Sequence, residues 1–79
     1  MADRKSIAVL GSTGSVGEQA LDVAEKQGIQ VTAISANRNF TRVEEQARKF
    51  NVKAVAMADE SAAAELKVRL SDALDQIGQ

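Results

Sequence analysis

Gly11, Gly14 and Gly17, with Ser12, Thr13, Ser15 and Val16 between them, are the residues of this chain whose spacing is best suited to chemistry. A pyrophosphate is held by backbone N–H groups that reach it unobstructed and by the positive end of a helix dipole. Glycines at a strand-to-helix turn meet both needs. Gly11 suits the tight turn, Gly14 the approach of backbone to phosphate, and Gly17 the close packing of helix on strand. Thr13 and Ser15 add hydroxyl donors at the same mouth. The spacing also recurs in tight turns that bind nothing, which is the competing reading. Context favours the ligand, because an apolar run precedes the triplet and a helical pattern follows it.

The second informative stretch is Ala36-Asn37-Arg38-Asn39. About 20 residues beyond the glycines, NAD-binding folds place an acidic residue on the ribose 2′-hydroxyl. Here no Asp or Glu occurs between Glu25 and Glu44. Arg38 instead offers a forked, charge-assisted contact to a 2′-phosphate, flanked by the Asn37 and Asn39 amides, which points to NADP rather than NAD. The alternative leaves Arg38 as a solvated loop cation and Asn39 as a turn or capping residue.

These sites need elements to position them. Ser6-Ile7-Ala8-Val9-Leu10 reads as a parallel strand covered on both faces, near the centre of a sheet. Val16, Ala20, Val23 and Ala24 then supply the inner face of a helix that ends at Gly28. Val31–Ser35 is a second strand, and Thr41 with Glu44 has the form of a capping box opening a second helix with Val43, Ala47 and Phe50 inside. Ala54–Met57 is a third strand. Asp59 caps a third helix whose inner face takes Leu66, Leu70, Leu74 and Ile77. The alternation predicts an α/β fold, the N-terminal half of a Rossmann-type doubly wound parallel sheet, βαβαβα. With further strands expected beyond the first, the chain reads as a fragment prone to pairing at that open edge.

Composition bounds the rest. The 79 residues make at most one small domain, and with no Cys and no His neither disulfides nor the usual neutral-pH acid/base are present. Ten basic and eleven acidic residues are scattered, without Trp or Tyr, so no nucleic-acid footprint appears. No apolar run approaches the roughly 20 residues of a membrane span. Arg42, Arg48, Lys49, Lys53, Lys67 and Arg69 read as solvated surface, and Met57, Phe40 and Phe50 as packing, with Phe40 having a second reading beside an adenine. Asp59 and Glu60 serve a helix start rather than a metal.

Leu10-Gly11-Ser12-Thr13-Gly14-Ser15-Val16-Gly17, Ala20-Leu21-Asp22-Val23, Ala36-Asn37-Arg38-Asn39 and Ala54-Val55-Ala56-Met57-Ala58-Asp59-Glu60, with Val43, Gln46 and Phe50, together resemble the 1-deoxy-D-xylulose 5-phosphate reductoisomerase family. The likeness covers nearly all of the chain, 1–79, as the N-terminal part of an NADPH-binding domain. It implies conversion of 1-deoxy-D-xylulose 5-phosphate to 2-C-methyl-D-erythritol 4-phosphate in non-mevalonate isoprenoid biosynthesis, by rearrangement and hydride transfer from NADPH. It also implies a divalent metal, Mg²⁺ or Mn²⁺, in the full-length enzyme and a homodimer; separately, the absence of Cys fits a reducing, cytoplasmic setting and the lack of a transit-like N-terminus points to a bacterial one. Thr13, Gly14, Ser15 and Val16 are then expected at the cofactor phosphates and Asn37, Arg38 and Asn39 around the 2′-phosphate. Family members often carry Gly-Lys where this chain has Asn37-Arg38, a departure that keeps the positive charge. The resemblance places catalytic and metal-binding residues beyond this segment, so the chain alone is expected to be inactive. Two alternatives stand beside it: an NADP-dependent semialdehyde or acyl-phosphate dehydrogenase, and a non-catalytic NADP-sensing module.

Overall fold

A computed structural model describes residues 5–72 and 76–78. Its elements alternate throughout: β1 (Ser6–Leu10), α1 (Ser15–Gln27), β2 (Gln30–Ala36), α2 (Phe40–Phe50), β3 (Ala54–Met57), α3 (Glu60–Arg69) and β4 (Gln76–Gly78). The strands form one parallel sheet in the order β1-β2-β3-β4. Each crossover therefore steps the same way, and right-handed crossovers in one direction put their helices on one face.

That face holds the core. Val9, Ile34, Val55, Met57 and Ile77 from the sheet meet Leu21, Ala24, Val43, Ala47 and Leu66 from the helices. The opposite face presents Ala8, Leu10, Ala33, Ser35, Ala54 and Ala56. Among the described residues the helices cover one face of β1, and the open edge expected beyond the first strand is present. Among the described residues β1 is an edge strand, paired with β2 alone, and Leu10 is 82% exposed. A register shift between Ile7 and Ala8 leaves Thr32 as the extra residue of β2, and its hydroxyl donates to the Ile7 carbonyl at 3.2 Å.

Three expectations change. The buried stripe of α1 is Gly17, Leu21 and Ala24, while Val16 and Val23 are exposed. Gly17 sets this rotation, because its missing side chain is what lets the helix touch the turn before it. The N-cap of α2 is Asn39, whose side chain accepts from the Arg42 N–H at 3.2 Å. Thr41 lies inside the helix, and Glu44 pairs with Arg48 and Arg69 instead of closing a capping box.

The third correction concerns α3. Asp59 caps it as expected, accepting from the Ala62 N–H at 2.8 Å. The helix stops at Arg69, however, with Leu70 as C-cap and the Ser71 hydroxyl donating to the Val68 carbonyl at 3.1 Å. Ile77 belongs to β4, opposite Val55, and the fold gains a fourth strand. Its separation of seven residues from Leu70 matches two helical turns by coincidence. Leu74, expected on the same helix, lies outside the described residues.

Candidate functional site

Leu10, the last residue of β1, pairs with Ser35 of β2. Since the strands are parallel, the glycine turn after Leu10 and the Asn37–Asn39 loop after Ala36 leave the same end of the sheet. In open α/β sheets the carboxyl ends of the strands are where ligands lie.

The three glycines act differently. Gly11 has φ 67°, the left-handed backbone that reverses the chain. Gly14 donates its N–H to the Gly11 carbonyl at 3.0 Å and serves as the N-cap of α1. A Cβ on Gly14 would meet only the Gly11 oxygen at 3.5 Å, an ordinary contact, so the turn itself does not demand glycine there. Gly17 is the packing glycine, since a Cβ on it would overlap the Gly11 carbonyl.

No side chain caps α1, a helix of 13 residues. Its first-turn N–H groups are therefore left for an external acceptor, with the helix dipole behind them. Ser15 and Val16 are exposed and Thr13 half-buried at this mouth. Ser12 is different, for it is fully buried. Its N–H donates to the Ser35 carbonyl at 2.8 Å, which joins the turn to the end of β2 and removes that N–H from any ligand.

On the second segment, Ala36 is buried while Asn37, Arg38 and Asn39 are exposed. The loop is anchored on its far side, where the Ala36 and Asn37 carbonyls accept from the N–H groups of Ala58 and Asp59, both at 2.9 Å. Among the described arginines, Arg42, Arg48 and Arg69 all bridge to carboxylates, whereas Arg38 makes no ion pair with a described residue. The hydrogen bond that Arg42 donates to Glu18, above all, holds its guanidinium above its ordinary range, and the bonds donated to Asp72 and Glu44 do the same for Arg48 and Arg69. Those cations serve the fold. Arg38 has no such carboxylate partner among the described residues.

Sequence reasoning missed two contacts here. Arg42, read as surface, reaches Glu18 in α1 at 3.0 Å and offsets a carboxylate one turn from the glycine mouth. Gln46, on the inner side of α2, donates to the Ser12 carbonyl at 2.8 Å. The one available signal was an amide between Val43 and Ala47, where an apolar residue is the rule. Phe40 has the Arg69 guanidinium over its ring at 4.9 Å, in keeping with packing. Among the described residues no group of three His, Cys, Asp or Glu could hold a metal ion, and no helix is long and apolar enough to cross a membrane.

Comparison with known proteins bears on this arrangement. The family model for 1-deoxy-D-xylulose 5-phosphate reductoisomerase matches residues 7–77. A reductoisomerase of Acetivibrio thermocellus is 52% identical over 66 residues, covering 84% of this chain and 17% of the relative. One from Agathobacter rectalis is 44% identical over 75 residues, covering 94% of this chain and 20% of the relative. In three dimensions the chain is similar to the Zymomonas mobilis reductoisomerase in complex with NADPH, with a TM-score of 0.86 and 33% identity over 96% of this chain and 21% of the other. A reductoisomerase structure with NADPH, fosmidomycin and magnesium gives a TM-score of 0.81 and 25% identity, over 94% of this chain and 19% of the other. The chain thus spans about a fifth of the proteins it matches. A glycine turn, an Arg-bearing second loop and a match running through every described strand all lead to one assignment: this chain belongs to the 1-deoxy-D-xylulose 5-phosphate reductoisomerase family.

Proposed function

We propose that residues 1–79 form the N-terminal part of an NADPH-binding domain, in an enzyme that converts 1-deoxy-D-xylulose 5-phosphate to 2-C-methyl-D-erythritol 4-phosphate in non-mevalonate isoprenoid biosynthesis. The observation that carries this reading is the pairing, at one end of the sheet, of an uncapped helix N-terminus with an arginine that has no ionic partner among the described residues. A ligand with a pyrophosphate and a separate 2′-phosphate matches both.

In this reading Gly11 and Ser12 shape the turn, Gly17 lets the helix pack against it, and Thr13, Gly14, Ser15 and Val16 lie at the pyrophosphate. Thr13 and Ser15 add hydroxyls, and Val16 lies exposed beside them. Arg38 takes the 2′-phosphate, with Asn37 next to it and Ala36 and Asn39 holding the loop's ends. The side-chain oxygen of Asn39 is already used in capping α2, so Asn39 shapes the loop more than it binds. The bound nicotinamide supplies the hydride. This segment binds and orients, and the sugar-phosphate site and divalent metal belong to the remainder of the enzyme, read as a cytoplasmic homodimer.

The test is a titration of the folded chain with NADPH and with NADH. Tighter binding of NADPH supports the reading, and equal binding or none contradicts it.

A further inference from the structure

Gln46 and Ser12 are the buried polar residues among those described, and they touch. Gln46 is 4% exposed, yet its Nε2 crosses from α2 to the Ser12 carbonyl, 34 residues away in sequence, at 2.8 Å. A carbonyl only accepts, so the amide nitrogen must be the atom facing it. The other half of the amide, Oε1, has no hydrogen-bond partner among the described residues, and neither has the Ser12 hydroxyl. A buried acceptor left unpaired carries an uncompensated desolvation penalty, which an apolar residue of similar size would avoid.

The effect of the Gln46 amide is on the peptide that follows Ser12. A trans peptide is planar, with its C=O and N–H pointing in opposite directions. Drawing the Ser12 oxygen toward α2 therefore turns the Thr13 N–H away from α2, and that N–H has no backbone partner among the described residues. The peptide before Ser12 is held as well, by its bond to the Ser35 carbonyl. The same helix α2 opens at Asn39, next to Arg38. One helix thus carries the edge of the 2′-phosphate loop at its start and the clamp on the glycine turn two turns later.

We propose that Gln46 is a positioning residue for the cofactor pyrophosphate, aiming the Thr13 N–H by holding the Ser12 carbonyl. This rests on the NADPH reading above. Gln46→Met keeps the volume and removes the donor. Calorimetric titration of the 79-residue chain with NADP⁺ and with adenosine 2′-monophosphate separates the two contacts, because the second ligand has the 2′-phosphate and no pyrophosphate. The expected result is a loss of about ten-fold in NADP⁺ affinity, the scale of one hydrogen bond to a charged group, with adenosine 2′-monophosphate unchanged. An unchanged NADP⁺ affinity, or an equal loss for both ligands, would overturn the proposal.

If circular dichroism shows Gln46→Met unfolded, Gln46→Glu provides the same test by pH. Protonated, its carboxyl can donate to the Ser12 oxygen, and ionised it cannot. NADP⁺ affinity relative to the wild type should then fall as pH rises, with adenosine 2′-monophosphate as control, and a flat ratio contradicts the proposal. Failure of the wild-type chain to bind NADP⁺ at all would sink the NADPH reading, and this inference with it. Wild-type binding without the ligand-selective loss would sink the inference alone.

Discussion

Gly17 packs against Gly11 so closely that a Cβ on Gly17 would overlap the Gly11 carbonyl oxygen and lie 2.8 Å from the Ser12 Cα. Every atom it would meet is backbone, so relief requires moving the helix or the turn. The position couples the rotation of α1 to the shape of the glycine turn.

Gly17→Ala should therefore destabilise the chain by about 2 kcal/mol, within the usual range for overpacking at a closely packed site. Urea denaturation followed by circular dichroism measures this. A variant as stable as the wild type would show that α1 does not need this contact.

Gly14→Ala makes the opposite case. Its backbone is extended, with φ −81°, and the added methyl meets nothing closer than 3.5 Å. Stability should change by less than about 1 kcal/mol, as at positions without a steric or capping role. On the reading of Gly14 as the point where backbone approaches phosphate, NADP⁺ affinity should nevertheless fall. Unaltered affinity on calorimetric titration would count against Gly14 as the point of phosphate approach.

The two competing starts of α2 can be separated by mutation. Asn39→Ala should cost about 1 kcal/mol through loss of the N-cap, whereas Thr41→Ala, at an exposed position inside the helix, should be neutral or stabilise by up to about 0.5 kcal/mol. Denaturation midpoints of the two variants decide between them. A larger loss at Thr41 would restore the capping box.

Asp72 gives the chain a pH signature. Hydrogen bonds from Arg48, which also donates to the Arg69 carbonyl at 2.9 Å, hold the Asp72 carboxyl below its ordinary value. A carboxyl depressed in the folded state contributes stability that is fully present above its unfolded value of about 3.9 and is lost as pH falls through the lower folded value. Both side chains are exposed, so the effect is small. Asp72→Asn should lower the thermal midpoint slightly at pH 7, and the difference from the wild type should vanish in strong acid. A pH-independent difference would remove the ion pair as its cause.

What sequence could and could not show follows from the range of the interactions. The three longer strands, the αL glycine at Gly28, the cap at Asp59 and the distinct roles of Gly11 and Gly17 depend on neighbouring residues, and local chemistry sufficed for them. The rotation of α1 did not follow from hydrophobicity, because the contact that sets it is made by a residue with no side chain. How many faces of β1 the helices cover was not legible, since an unbroken apolar run looks the same whether one face is covered or both. The end of α3 and the existence of β4 were hidden by the helical spacing of Leu66, Leu70 and Ile77. Gln46 was legible only as a misplaced amide, and its partner across 34 residues needed the fold.

The central claim is that Arg38, at the end of β2, selects a 2′-phosphate. Calorimetric titration of the folded chain with 2′-phospho-AMP and with AMP, repeated on Arg38→Ala, tests it most directly. The account predicts that the wild type prefers the 2′-phosphorylated ligand by roughly ten-fold, the scale of one charge-assisted contact, and that the preference disappears in the variant. A folded wild type that binds both equally, or a variant that keeps the preference, would contradict it.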